Sequence, residues 1–278
     1  MPDTLADLVT KRYGPETPGG ADLPAEGPLA TILDRRTHRR YADRPVPEDM
    51  LDLLFACAFS ASAKSDLQQA SVVRVADPAL RADLAALIPG MPWIGTAPAF
   101  MVWCGDGRRI RRICELRGKS FANDHFDAAF NPTVDAALAM QTFILAAEAA
   151  GLGCCPISVV RNHAFRIGEF LGLPEWVFPV AGLCVGWPAA QGYISMRVPP
   201  SVTVHTDRYD DDKLAGGIDA YDRRRDAVYS IPADKQRDLD RYGEAGFYGW
   251  SEDKARQVSH TERQDFGAFL RRQGYRLD

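Results

Sequence analysis

Three arginines, Arg35, Arg36 and Arg39, gather beside Thr37 where a first predicted helix, carrying Ile32 and Leu33, runs out. Guanidinium forks pair with the oxygens of a phosphate, and a hydroxyl adds a further donor, so this spacing suits an anionic ligand. Alone, the run also reads as a solvated basic face. A second polar stretch follows the next predicted helix: Ser60, Ser62, Ala63, Lys64 and Ser65, then Gln68. By itself it is a polar loop. A third stretch, Pro156, Ile157, Ser158 and Val159, reads as a buried strand edge.

What is missing narrows the chemistry. No G-x-S-x-G, H-E-x-x-H or P-loop pattern occurs in the chain. His38, His125, His163, His205 and His260 are scattered, so no metal site is assigned. Gly151, Leu152 and Gly153 precede a predicted strand instead of following one, which makes them a helix stop and not a pyrophosphate turn. No side chain is assigned as a catalytic acid, base or nucleophile. That absence is informative if the reactivity belongs to a cofactor, for which the protein supplies position and electrostatics.

The elements that must position these segments follow from periodicity. Pro47, with Glu48 and Asp49, opens a helix bearing Leu51, Leu54, Phe55 and Ala58 on one face. Asp77 and Pro78 open another, with Leu80, Leu84 and Leu87. Residues 134–150 are Ala-rich and apolar nearly all round, the pattern of a central buried helix. A further helix ends near Leu173 and Pro174. Residues 71–75, 99–104, 155–160 and 178–185 read as strands. Strands separated by helices indicate an α/β or α+β layer fold. Residues 1–28, rich in Pro, Gly and Asp, are expected to be a loosely held arm. From Trp187 onward long apolar runs give way to Arg, Asp and Tyr, as in an extension that wraps a core or a partner subunit.

At 278 residues, with 46% hydrophobic and 25% charged residues, the chain has the composition of a soluble globular protein with a substantial core. Its formal charge of -4 argues against a nucleic-acid partner, which needs a clustered basic surface. The one basic run, residues 108–112, reads as a solvated loop or helix face. No apolar stretch has the length of a membrane span, and no signal-peptide order shows at the N-terminus. Cys57, Cys104, Cys114, Cys154, Cys155 and Cys184 form no C-x-x-C pair, and most lie in apolar runs. They read as reduced, buried thiols of a cytoplasmic protein.

Taken together and in order, these segments resemble the FMN-dependent nitroreductase family. The resemblance rests on Arg35, Arg36, Thr37, Arg39 and Tyr41, then on the serine loop ending in Gln68. It continues through Ala149, Ala150 and Gly151 into residues 156–159, Leu173 with Pro174, and the run 178–188. The nearest branch is that of the NADPH-flavin oxidoreductases and major oxygen-insensitive nitroreductases. Its marks are Arg197, Val198, Pro199, His205, Tyr209, the helix about Tyr221 and a C-terminal helical stretch from Trp250 to Tyr275. Arg35 stands where that branch often carries His, and Asp66 where the wider family often carries Asn.

The resemblance implies an α+β, three-layer fold: a central, mostly antiparallel sheet flanked by helices. It implies one FMN domain over 29–278, with 187–278 as an extension that wraps the partner subunit of a homodimer. FMN is then expected, held noncovalently at the dimer interface. Arg35, Arg36, Thr37 and Arg39 would hold its phosphate, with Arg197 completing the anion site. Ser62, Ala63, Lys64, Ser65 and Gln68 would meet the phosphate, ribityl chain or ring edge. The backbone of Pro156, Ile157, Ser158 and Val159 would face the ring. The implied activity is ping-pong hydride transfer from NADPH or NADH to a nitroaromatic, quinone or flavin acceptor. Two other readings stand beside it: a specialised member with oxidative or flavin-consuming chemistry, and a flavin-binding protein without turnover. A basic, mobile stretch of Arg223, Arg224, Arg225, Lys235, Arg237 and Arg241 is a candidate grip for the extra phosphate of NADPH. It reads equally as a solvated face neutralised by the interspersed aspartates.

Overall fold

Each run expected to be a strand forms one, and all four join a single sheet. A computed structural model describes residues 3–278 of the chain. In it β1 is Ala70–Arg74, β2 Ala99–Asp106, β3 Gly153–Ile157 and β4 Val177–Gly186. The strand order is β1-β2-β4-β3, and every pairing is antiparallel. Two prolines sit where a ladder tolerates them. Pro156 lies on the edge strand β3, and Pro179 lies at the register shift opposite Trp103 and Cys104. β3 stops at Ile157, earlier than expected, because the chain turns into a 3-10 helix over Ser158–His163.

The helices begin where local chemistry starts them. In chain order they are α1 Leu5–Tyr13, α2 Gly27–Asp34, α3 Glu48–Phe59, α4 Pro78–Ala86, α5 Trp93–Thr96, α6 Arg108–Leu116 and α7 Asp127–Ala149. After these come α8 Ala164–Phe170, α9 Pro200–Thr203, α10 Leu214–Asp226, α11 Leu239–Tyr242, α12 Trp250–Val258 and α13 Phe266–Arg272. Asp77 accepts the Ala79 N–H at the head of α4, a side-chain cap on an otherwise unpaired donor. Gly151, at φ +82, lets the chain turn sharply out of α7 toward β3.

By contacts the chain divides into two interleaved units. One contains Met1–Arg35 and Ile194–Glu262, the other Arg36–Tyr193 and Arg263–Asp278. These boundaries differ from an arm over 1–28 and one domain over 29–278. In the first unit the supposedly loose arm forms α1, with Thr4 and Asp7 in a reciprocal cap and Leu5 and Leu8 buried. The same unit buries Tyr221 and Tyr248, and packs Trp250 edge-on against Tyr221 with ring centres 5.3 Å apart.

The second unit holds the sheet, covered by helices on both faces. Side chains of β2 alternate between them: Met101 and Trp103 join a core with α3 and α7, while Phe100, Val102 and Cys104 join another with Leu84 of α4 and Ile167 of α8. The final residues return to this sheet. Phe269 and Tyr275 are buried in the same core as Trp103, and the Tyr275 ring meets Phe178 edge-on at 5.3 Å. Residues 263–278 thus pack on their own chain. The expected C-terminal helix is also broken, into α12 and α13, by 259–265.

Candidate functional site

The arginine segment runs along one edge of the sheet, joined to β3 by an isolated bridge. α2 ends at Asp34, and Arg35 turns extended with ψ 134. Beyond it Thr37 bridges Cys154 of β3 in parallel, and the His38 N–H donates to the Cys154 carbonyl at 3.0 Å. Gly153 is needed here, since a Cβ would lie 2.6 Å from the His38 ring. On the other side Ala42 donates to Trp187, Ala189 donates to Arg40, and Gly192 passes the Thr37 carbonyl closely. The Tyr41 hydroxyl donates to the His38 carbonyl at 2.7 Å, and burial pushes its pKa far above the ordinary phenol value. Arg36, Thr37 and Arg39 are thus held beside the strand that runs directly into Pro156, Ile157, Ser158 and Val159. Ser158 in turn accepts from Arg263 at 3.4 Å.

The serine loop lies at the opposite edge. It leaves α3 and enters β1 with Ser65, Asp66 and Gln68 at φ +50, +57 and +51, a left-handed path that these side chains do not favour. A buried carboxylate holds it there. Asp135 of α7, only 2% exposed, accepts the N–H of Lys64 and of Gln69, each at 2.9 Å. Arg109 secures the following turn, donating to the carbonyls of Gln68 and Ala70, to Ser71 and to Asp106. Between loop and helix is a cavity of about 310 Å3, with Ser62, Ala63, Gln68, Arg109 and Asp135 in its wall and Phe59 and Ala139 among the apolar lining.

Asp135 and Arg109 line this cavity, and the motif reading did not single them out. Asp135 carried a signal, a lone carboxylate near the start of an apolar helix. Arg109 was hidden in the basic run 108–112, read as solvated. Its neighbour Arg111 departs from that reading as well: it is buried, ion-paired with Asp124 at 2.5 Å and set over the rings of Phe121 and Trp176.

Arg35 and Arg197 belong to the other unit and meet there through a third arginine, Arg12. Arg12 donates to the Arg35 carbonyl, and its own carbonyl accepts the Arg197 N–H at 2.8 Å. In the same unit the basic stretch after α10 is clamped by hydrogen bonds and ion pairs. Arg237 pairs with Asp253 at 2.9 Å, and the buried Arg256 donates to the carbonyls of Arg237 and Gly243. Lys235 and Arg241 remain exposed on it.

The thiols take no part in this arrangement. Cys104, Cys154, Cys155 and Cys184 are buried, while Cys57 and Cys114 are partly exposed. Burial, and then the charge of Asp106, push the Cys104 thiol up to about 12. Among the described residues no group of three or more His, Cys, Asp or Glu side chains is placed to hold a metal ion. None of the described helices is long and apolar enough to cross a membrane.

An antiparallel sheet with helices on both faces defines an α+β layer fold, and the comparisons narrow it. The model of the nitroreductase family matches residues 32–187, and that of its C-terminal domain residues 195–278. The chain belongs to the nitroreductase family. It is 34% identical over 199 residues to a Bacillus subtilis protein named FMN reductase [NAD(P)H], covering 70% of this chain and 80% of that one. It is 34% identical over 193 residues to the oxygen-insensitive NADPH nitroreductase of Salmonella typhimurium, covering 69% and 79%. Among solved structures, the NADPH:FMN oxidoreductase from Vibrio harveyi complexed with NAD+ superposes with a TM-score of 0.77 at 28% identity, over 89% of this chain and 97% of that one. The hypothetical oxidoreductase YcnD of Bacillus subtilis gives a TM-score of 0.81 at 28% identity, over 90% and 98%.

Proposed function

We propose that this chain is an FMN-dependent oxidoreductase that takes hydride from NADPH or NADH and delivers it to a small organic acceptor, a nitroaromatic, a quinone or a flavin. The observation that supports the reading is the bridge from Thr37 to Cys154, which ties the arginine segment to the strand that leads into residues 156–159. Phosphate donors on one segment and main-chain groups on the next suit a phosphorylated planar ring. The donor set fits FMN: guanidinium groups for a phosphate, and at the other edge a cavity with polar walls and apolar lining. FMN supplies the hydride-accepting chemistry when bound. The residues of the chain do the rest. In the second unit Arg36 and Arg39 are the phosphate donors, and in the first unit Arg35 and Arg197 are; Ser62, Ala63, Lys64, Ser65 and Gln68 border the ribityl chain or ring. A backbone N–H donor at 156–159 favours added negative charge on the ring it faces.

The two halves of this site support a homodimer. In one chain the serine loop leads into β1 and the arginine segment lies outside β3 at the opposite edge, four strand spacings or about 19 Å apart. A second copy is the simplest way to bring one half to the other. α7 also offers a surface for it, because Phe126, Phe130, Val134 and Leu138 recur at the four-residue spacing of one helix face and are 37–54% exposed. Cysteines kept mostly in the core suit a reducing, cytoplasmic setting.

The test is direct. The purified protein should be yellow, release FMN on acid treatment, and oxidise NADPH with menadione or nitrofurazone as acceptor. Release of FAD, or a protein that binds no flavin after reconstitution, would sink the reading. Bound FMN without nicotinamide oxidation would leave a flavin-binding protein instead of an enzyme.

A further inference from the structure

The residue that joins the two arginine segments of the first unit lies outside both family matches. Arg12 closes the last turn of α1, a helix anchored by its own cap and by buried Leu5 and Leu8. The matches begin at residue 32. The solved relatives are covered over 97% and 98% of their length yet account for only 89% and 90% of this chain, so it carries a portion they lack. Arg12 itself is 6% exposed. Its guanidinium donates to the Ser195 carbonyl at 2.8 Å, to the Leu33 carbonyl at 2.8 Å and to the Arg35 carbonyl. Its carbonyl receives the Arg197 N–H at 2.8 Å.

All four bonds run to main chain. One side chain therefore sets the path of the segment bearing Arg35 and of the segment bearing Arg197. Tyr221, 2% exposed, reinforces the second by donating to the Met196 carbonyl at 3.1 Å. A planar guanidinium with five fixed donors can bridge three carbonyls; an ammonium on a flexible stem cannot hold the same fork. Burial first, and then the charge of Arg197, pull the Arg12 pKa down; Arg35 adds to this, while Tyr13 and Asp34 oppose it.

We infer that Arg12 is a positioning residue for the cofactor, fixing the backbones of Arg35 and Arg197 so that the two act as one subsite for the FMN phosphate. The inference rests on the FMN reading above. It gives the N-terminal helix a role in binding that its composition did not suggest.

Riboflavin lacks the phosphate, so the ratio of FMN to riboflavin affinity isolates the subsite. Apoprotein is titrated with each, following quenching of flavin fluorescence. Wild type should prefer FMN, and Arg197→Met should lose most of that preference. Arg12→Met should weaken FMN binding about tenfold or more while leaving riboflavin binding unchanged. Leu8→Ala, which loosens α1 without touching the fork, should lower the melting temperature and keep the preference. Should Arg12→Met fail to fold, Arg12→Lys carries the comparison: it keeps the charge and should still lose preference. A wild-type FMN to riboflavin ratio in Arg12→Met, or its full retention in Arg12→Lys, overturns the inference while the FMN reading stands. Equal affinity of wild type for FMN and riboflavin overturns the phosphate reading, and this one with it.

Discussion

The carboxylate of Asp135 accepts the Gln69 N–H at 2.9 Å from inside the core, across 66 residues of sequence. The same group takes the Lys64 N–H, so the serine loop is pinned at both ends by one side chain of α7. Asp135→Ala leaves one buried and one partly buried donor unpaired, at up to about 1–3 kcal/mol each. The variant should lose about 2–4 kcal/mol in urea unfolding and bind FMN more weakly. A loss below about 1 kcal/mol would show that the loop holds its left-handed path without this anchor.

Arg39→Ala and Arg197→Ala should each weaken FMN retention. A charge-assisted bond to phosphate contributes about 1.5–3 kcal/mol, or about tenfold to a hundredfold in affinity. Equilibrium dialysis reads the effect. Unchanged affinity in both variants would mean that the phosphate sits elsewhere.

The C-terminal residues should stabilise their own chain. The Tyr275 hydroxyl accepts the Gly107 N–H at 3.2 Å and donates to the Trp176 carbonyl at 2.5 Å, while the Gln273 amide donates to the Val177 carbonyl at 2.7 Å. Tyr275→Phe removes the first pair and should cost about 1–3 kcal/mol, read as a lower urea midpoint at unchanged slope. An unchanged midpoint would contradict this docking.

Acid should loosen the clamped stretch after α10. Burial alone would raise the Asp253 carboxyl, but the hydrogen bond and charge of Lys254, and then Arg237, outweigh it and hold the pKa below the usual carboxylate range. A lowered folded-state value stabilises above the unfolded value, and that stabilisation disappears as pH falls through the folded one. The melting-temperature gap between wild type and Asp253→Asn should therefore be flat above about pH 5 and shrink below about pH 4. A gap that persists undiminished at pH 2 would rule out this origin.

Phe130→Asp places a charge in the exposed apolar stripe of α7, where Phe130 stacks near Phe126 with ring centres 5.9 Å apart. Burying an unpaired charge in an interface is strongly unfavourable. Light scattering at micromolar concentration should give a dimer for wild type and a smaller mass for the variant. The same dimer mass in both would place the interface elsewhere.

What the sequence by itself determined was local in origin. Pro47, Pro78 and Gly151 mark helix ends because backbone restrictions act within a residue or two. The apolar runs about Val73, Val102 and Val180 declare strands by themselves. The arginine, serine and proline segments could be listed in order because each is contiguous. Other features had to wait for the tertiary structure. That α7, apolar nearly all round, buries Phe143 yet exposes Phe130 depends on what packs against each face, and periodicity cannot supply it. The return of Tyr275 to Gly107 and the reach of Arg12 to Ser195 span 168 and 183 residues, and neither leaves a local pattern. The buried Arg12 and Asp135 are polar groups whose partners are main-chain atoms, and every residue carries those. Their types reveal nothing of the pairing, so only the folded chain decides which carbonyls and N–H groups they hold.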